Sequence, residues 1–316
     1  MNPFVWLLII FGSACFVVLL TSFICFLKVF YSPKRKILGK DEYAIPDGEI
    51  YQVFKEDIIN WTNQFRTLPH ENVSITSYDG LTLRGKYYEY QKGAITEILF
   101  HGSQGCAERD LSGGIERCFA LGRNALMVDN RSCGTSDGSV ITFGIREKRD
   151  VFSWIDFAIN RFGKDVKLVL TGVSMGAATV LMASGEPLVE NVVCILADCP
   201  FSSQKEIIKK VIRDMKLPAE LFYPFVKLGA RIFGRFDLEE DTPIEAMKRC
   251  SVPMIFIHGD TDTFVPNEMS DALYEACSSK HKKNVKIPGA GHGLAFPVGR
   301  DSYVQALSDF EKEWNV

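Results

Sequence analysis

Ser174 stands between glycines in Gly172-Val173-Ser174-Met175-Gly176, directly after the apolar run Val166 to Thr171 and before the small residues of Ala177 to Ser184. Glycines on both sides suit a turn too sharp for side chains, and G-x-S-x-G between a strand and a helix presents a serine hydroxyl as a nucleophile. Such a hydroxyl needs a base to take its proton and a third group to hold that base. Both types follow in order. The apolar run Met254 to Ile257 ends in His258-Gly259-Asp260-Thr261-Asp262, and a later one ends in Gly289-Ala290-Gly291-His292-Gly293. Serine, aspartate and histidine, each just past an apolar run, predict acyl-transfer chemistry with Ser174 as nucleophile, His292 as base and Asp262 or Asp260 as its orienting carboxylate. The remaining histidines read as supporting residues: His101 and His258 orient loops beside the site, and His70 and His281 lie at the surface.

The elements that must position these groups follow from the apolar pattern. Ile95 to Phe100, Ala125 to Val128, Val166 to Thr171, Val192 to Ala197, Met254 to Ile257 and Val285 to Ile287 are short apolar runs, each followed by a helix-compatible segment. Strands alternating with helices predict a mainly parallel sheet covered on both faces, a pattern that periodicity alone would equally grant a Rossmann-like fold. Before them, Val73 to Ser77 and Leu81 to Tyr90 form a hairpin across Asp79-Gly80, a dipeptide that supplies the positive φ of a tight turn. Upstream, Val53, Phe54, Ile58, Trp61 and Phe65 recur at the spacing of an amphipathic helix. Between Pro200 and Pro253 lies an insert that reads as a small helical lid. Its first helix carries the stripe Ile207, Ile208, Val211, Ile212 and Met215, expected to face the core. Its second segment, Leu221 to Phe236, has more apolar surface than one such stripe needs. Phe222 and Phe225 are expected to form an acyl-binding wall there, the other reading being a membrane-contacting face.

On these residues the chain resembles the α/β-hydrolase superfamily, and within it the bacterial membrane-anchored serine hydrolases similar to BEM46-like and ABHD17-like proteins. The likeness runs from about Val73 to Val316, through the Ser-Asp-His order, Phe100-His101-Gly102-Ser103, the segment Asp129 to Gly138 and Asp198-Cys199-Pro200-Phe201. Ser132 departs from it, standing where the family usually has glycine. The resemblance implies the α/β-hydrolase fold, selects Asp262 over Asp260, gives the oxyanion hole to the backbone N–H groups of Met175 and Ser103, and implies no metal or organic cofactor. Arg131 and Asp198 are expected to hold loops.

Phe4 to Leu27 contains no charge and is long enough to span a bilayer as a helix, which takes roughly 20 apolar residues. Residues 1–28 are therefore expected to be a single transmembrane anchor, 29–68 a juxtamembrane linker and helix, and 69–316 the hydrolase domain with its lid at about 201–245. Lys28, Lys34, Arg35, Lys36 and Lys40 all follow the apolar run, which places the main domain on the cytoplasmic side. Seven of the nine cysteines lie outside that run, with no C-x-x-C pair and no ligand spacing with histidine, as expected of buried thiols rather than a metal site. Thirty-six Lys and Arg against 39 Asp and Glu leave a net charge of -3, which disfavours a nucleic-acid partner. The expected function is a membrane-anchored serine hydrolase for carboxylic esters or thioesters, with a small-molecule or lipid-like acyl substrate. A peptidase or amidase using the same three residues, and an inactive tethered binding module, are the alternatives.

Overall fold

A computed structural model of the chain describes residues 2–33, 39, 41–46 and 48–314. Its centre is a sheet of eight strands: β1 (Glu71–Thr76), β2 (Thr82–Tyr88), β3 (Thr96–Phe100), β4 (Asn124–Val128), β5 (Leu168–Val173), β6 (Val192–Asp198), β7 (Met254–Gly259) and β8 (Lys282–Ile287). They lie in the order β1-β2-β4-β3-β5-β6-β7-β8. β2 is antiparallel to β1 and β4, and every other neighbouring pair is parallel. At the β1–β2 turn the Ser77 N–H donates to the Leu81 carbonyl at 2.8 Å while Gly80 takes φ +89°.

The central strands read as continuous apolar runs because both faces of the sheet are covered. Ile98, Phe100, Leu168 and Leu170 meet Trp154, Ile155 and Val180 of the helices Glu147–Phe162 and Met175–Ala183. On the other face, Leu99 and Met127 meet Ile115 and Phe65, while Val169 and Leu196 meet Trp61, Tyr303 and Phe310. These come from the helices Lys55–Thr67, Gly113–Ala120 and Arg300–Trp314. In the first of them Ile58, Trp61 and Phe65 are buried as the spacing predicts, but Val53 precedes the helix and is 80% exposed.

The lid comprises the helix Gln204–Asp214 and the helix Ala219–Gly229, which runs on as a π-helical segment, Ala230–Gly234. The apolar helix Pro3–Val29 is long and apolar enough to cross a membrane. Asn2 caps it by accepting from the Phe4 N–H at 3.0 Å, and only Ser22 and Phe26 are buried along it. The residues after it, expected to begin a linker, are instead bound to the domain. Phe30 is fully buried and its carbonyl accepts from the Ile141 N–H at 2.8 Å, and the Ser32 N–H donates to the Ser139 carbonyl at 2.9 Å. Lys34, Arg35, Lys36 and Lys40 of the basic flank lie outside the described residues.

Candidate active site

Ser174 sits on the turn between β5 and the helix Met175–Ala183, with φ 55° and ψ -116°, a conformation costly for any residue but glycine. Its glycine neighbours are required by close approach. A Cβ on Gly172 would lie 2.2 Å from the Gly176 carbonyl carbon, and one on Gly176 would lie 2.1 Å from the Phe100 carbonyl oxygen. The Ser174 N–H donates to the Asp198 carbonyl at 2.8 Å, tying the turn to the end of β6.

Asp262 follows β7 and is fully committed to hydrogen bonds. Its Oδ1 accepts from the N–H groups of Phe264 and Val265, both at 2.9 Å. Its Oδ2 lies 2.7 Å from His292 Nδ1 and 3.1 Å from His258 Nε2. Burial works to raise this carboxyl's pKa, but the bonds from His258, His292 and the backbone outweigh it and hold the group well below the usual carboxylate range. An ionised carboxylate only accepts, so His292 carries its proton on Nδ1 and donates it to Asp262. Its Nε2 lone pair then faces Ser174 Oγ, which donates across 3.0 Å. Ser174, His292 and Asp262, far apart in sequence, thus form one continuous chain of hydrogen bonds.

Asp260, the competing carboxylate, braces the His292 loop instead of bonding its ring. Its Oδ1 accepts from the Gly289 N–H at 2.7 Å and fixes the segment that carries His292. That loop is also held from outside. The Tyr51 hydroxyl donates to the His292 carbonyl at 3.0 Å, and burial pushes this hydroxyl's pKa up to about 12, so it stays protonated. His101 is buried, its Nδ1 donating to the Gly102 carbonyl at 2.7 Å and its Nε2 accepting from the Asn130 N–H at 3.0 Å. Burial lowers its pKa and favours that neutral form. It joins the Gly102-Ser103 loop to the loop after β4.

Further positions bear on what the sequence leads one to expect. Ser132 has φ 63°, which accounts for the glycine usual there, and its hydroxyl bonds both polar backbone groups of Val140 at 2.9 Å. Arg131 grips Asp150 at 2.6 Å and Asp79 at 2.9 Å and so holds the β1–β2 turn, whereas Asp198 accepts from the Tyr303 hydroxyl at 2.8 Å and ties the end of β6 to the helix Arg300–Trp314. His70 and His281, expected at the surface, are half-buried. Cys199 also reaches the site, although no local pattern around it signals this. Its sulfur, the Asp262 carboxylate and the His292 ring offer donor atoms that all lie within 4.8 Å of one another. Burial, with Asp198 and Asp262 adding to it, pushes the thiol's pKa well up, so it faces the pair uncharged.

A cavity of about 1460 Å³ opens over Ser174 and His292, with Met175 and Ser103 on its wall. Gly102 brings the Ser103 loop close, since a Cβ on it would lie 3.6 Å from Ser174 Cβ. One arm runs under the lid, lined by Phe201, Ile207, Ile208, Val211, Ile212 and Met215, and reaches Lys28 and Val29 of the apolar helix. The other passes Arg109 and Glu108 toward Lys86. The first lid helix faces the core as expected, with Ile207, Ile208 and Ile212 buried in the cluster around Met175 and Phe201, and the same face also lines the cavity. Phe222 and Phe225, expected to line it, are not among its lining residues. Phe222 packs instead into the cluster that joins the lid to Phe26 and Phe30.

Residues 241–297, which hold Asp262 and His292, match the family described as serine aminopeptidase, S33. The chain is similar to the Bacillus subtilis (strain 168) protein YqkD, 26% identical over 62% of this chain and 64% of that protein. It therefore spans about two thirds of that relative. It is likewise similar to bem46 of Schizosaccharomyces pombe, 25% identical over 79% of each chain. The structure superposes on a Pyrococcus furiosus esterase, Pf2001, with a TM-score of 0.67 and 22% identity, covering 90% of this chain and 99% of the other. The fold is the α/β-hydrolase fold.

Proposed function

We propose that this chain is a serine hydrolase that cleaves carboxylic esters or thioesters, held to a membrane by its apolar helix. The observation that carries the reading is the unbroken contact from Ser174 Oγ through the His292 ring to Asp262 Oδ2, at 3.0 and 2.7 Å, on the wall of a large cavity. Ser174 Oγ attacks the acyl carbon as its proton passes to His292 Nε2, and the carbonyl electron pair moves onto oxygen. The N–H groups of Met175 and Ser103 stabilise that oxyanion, one such donor contributing about 3 kcal/mol in comparable sites. Asp262 stabilises the imidazolium and keeps its tautomer. Collapse expels the alcohol or thiol, which takes the proton back from His292. Water then repeats the sequence on the acyl-serine, His292 accepting its proton, and the carboxylic acid leaves. The reaction consumes only water.

The lid-side arm, walled by Ile207, Ile208 and Ile212, suits the acyl chain of the substrate. The cations that follow the apolar run, Lys28 first among them, support a cytoplasmic catalytic domain on a single span. A second reading, cleavage of peptides or other amides by the same three residues, is favoured by the family description over residues 241–297. The test uses the full chain in detergent, a fluorophosphonate probe, p-nitrophenyl esters from acetate to palmitate, and Ser174→Ala. Ser174-dependent labelling with ester turnover is expected. Labelling without turnover on any ester would transfer the assignment to amides, and no labelling would leave a binding module.

A further inference from the structure

The uncharged run Phe4 to Leu27 has a helical length of about 36 Å, whereas a bilayer's hydrocarbon core is only about 30 Å thick. The last turns of this run are also the part bound to the lid. Gly229 lies against Ser22, so closely that a Cβ on it would be 2.4 Å from the Ser22 carbonyl oxygen. Phe23 packs edge-on and Phe26 tilted against Phe233, with ring centroids 5.0 and 5.9 Å apart. The lid segment Gly229 to Gly234 therefore stands at the level of the last uncharged turns, before Lys28.

On the lid helix, Leu221, Phe225, Leu228 and Ile232 follow the i, i+4, i+7, i+11 spacing of a single stripe. The buried positions Tyr223, Val226 and Ala230 form another stripe. Leu221 and Ile232 at the ends of the first are 60% and 43% exposed, and Phe225 and Leu228 are half-buried. Lys216, Arg231 and Arg235 lie exposed near its ends, and the exposed acid there, Glu220, is paired with Lys209 and Arg213. An apolar stripe bordered by cations is the pattern of a helix lying in a membrane surface.

We propose that the stripe Leu221, Phe225, Leu228 and Ile232 seats the lid in the headgroup boundary of the same bilayer that the apolar helix crosses, and that acyl substrate passes from that leaflet into the cavity between Val29 and Met215. Both of these residues line the cavity, one on the apolar helix and one at the lid turn. The seating stands on the apolar helix and the lid alone; the substrate path rests on the hydrolase reading above.

Full chain carrying Trp6→Phe is reconstituted in vesicles of phosphatidylcholine and phosphatidylglycerol brominated in their acyl chains, with tryptophan placed by Leu221→Trp, Ile232→Trp or, as an exposed control outside the lid, Val53→Trp. The bromines should quench the added emission at 221 and 232 at least about twofold more than at 53, given burial of about 5–10 Å. Equal quenching at all three positions overturns the seating, and either lid variant alone suffices for the comparison. The Leu221→Ser/Ile232→Ser double variant should hydrolyse a long-chain ester carried in vesicles about tenfold more slowly, with a soluble short-chain ester turned over at the normal rate. An unchanged vesicle rate overturns the path from the leaflet. Quenching as expected with neither ester turned over by the parent chain overturns the esterase reading and leaves the seating in place.

Discussion

The catalytic turns and the lid are built on opposite principles. Ser174, Asp262 and His292 stand on three strand-end loops cross-tied by polar bonds from the chain itself: Ser174 N–H to the Asp198 carbonyl, Phe264 and Val265 N–H to Asp262, Gly289 N–H to Asp260. The lid is held chiefly through side-chain packing around Phe26, Phe30 and Phe233, against a helix most of whose length is exposed, with a few polar ties such as those from Arg146 to the Gly234 and Arg235 carbonyls at 3.0 and 2.7 Å. One region derives its geometry from directional bonds within the sheet. The other derives it chiefly from apolar surfaces whose remaining partner is the solvent or the bilayer. Loss of a single polar atom should therefore damage the first through kcat, whereas the second should respond to volume and surroundings through stability.

The largest expected effect belongs to the first region. Asp262→Asn keeps the shape but cannot hold the productive His292 tautomer, and kcat on any accepted ester should fall about ten-thousandfold; a loss under tenfold would remove Asp262 from the mechanism. The same variant has a pH signature. The Asp262 carboxyl lies below its unfolded value, so its stabilising contribution is present above about pH 4 and is lost as pH falls toward the folded value. Thermal melts in detergent should show the parent's advantage over Asp262→Asn shrinking as pH is lowered from about 4 toward the folded value.

A substitution in the second region should invert the pattern. Gly229→Ala drives a methyl into the Ser22 carbonyl and should destabilise the chain by about 1–3 kcal/mol, read as a lowered melting temperature. Turnover of a short soluble ester at 25 °C should hold, because nothing at Ser174 is touched; a parallel collapse of kcat would show that the two regions are one cooperative unit.

His258→Ala removes the second side-chain donor to Asp262 and should lower kcat about tenfold with KM unchanged. His258→Gln, which retains an N–H, should recover part of that loss, an outcome that a purely structural role would not produce. Smallest of all, Tyr51→Phe frees the His292 carbonyl from its outer tether and should cost about 1 kcal/mol, or about fivefold in kcat.

The two regions are also unequally legible in the sequence. β5, Ser174 and the helix behind it are contiguous, so strand, turn and helix announce one another through local pattern, and most of the strands fall where apolar runs meet turn residues. The His258 bond to Asp262 spans four residues, yet it depends on how the loop folds back, and His258-Gly259-Asp260 reads only as a strand end. In the lid, helicity and apolar content are evident but the identity of each partner is not. A stripe such as Ile207, Ile208 and Ile212 looks the same whether it covers a core or a cavity. Only one face of the second helix, with Phe222, Val226 and Phe233, is matched by Ser22 to Phe30, some two hundred residues earlier in the chain, a distance over which no local pattern carries information.

The tie between Phe30–Ser32 and Ser139–Ile141 has a mechanical consequence. A span on a loose tether can lean without its cargo noticing. Here the helix is fixed at its end both to the loop after β4 and to the lid, so in the membrane-bound form proposed above it acts as a tiller. Apolar spans lean more steeply in thin bilayers than in thick ones, and each degree of lean would turn the lid against the leaflet. Bilayer thickness would thereby become a variable that sets how the cavity mouth meets its substrate.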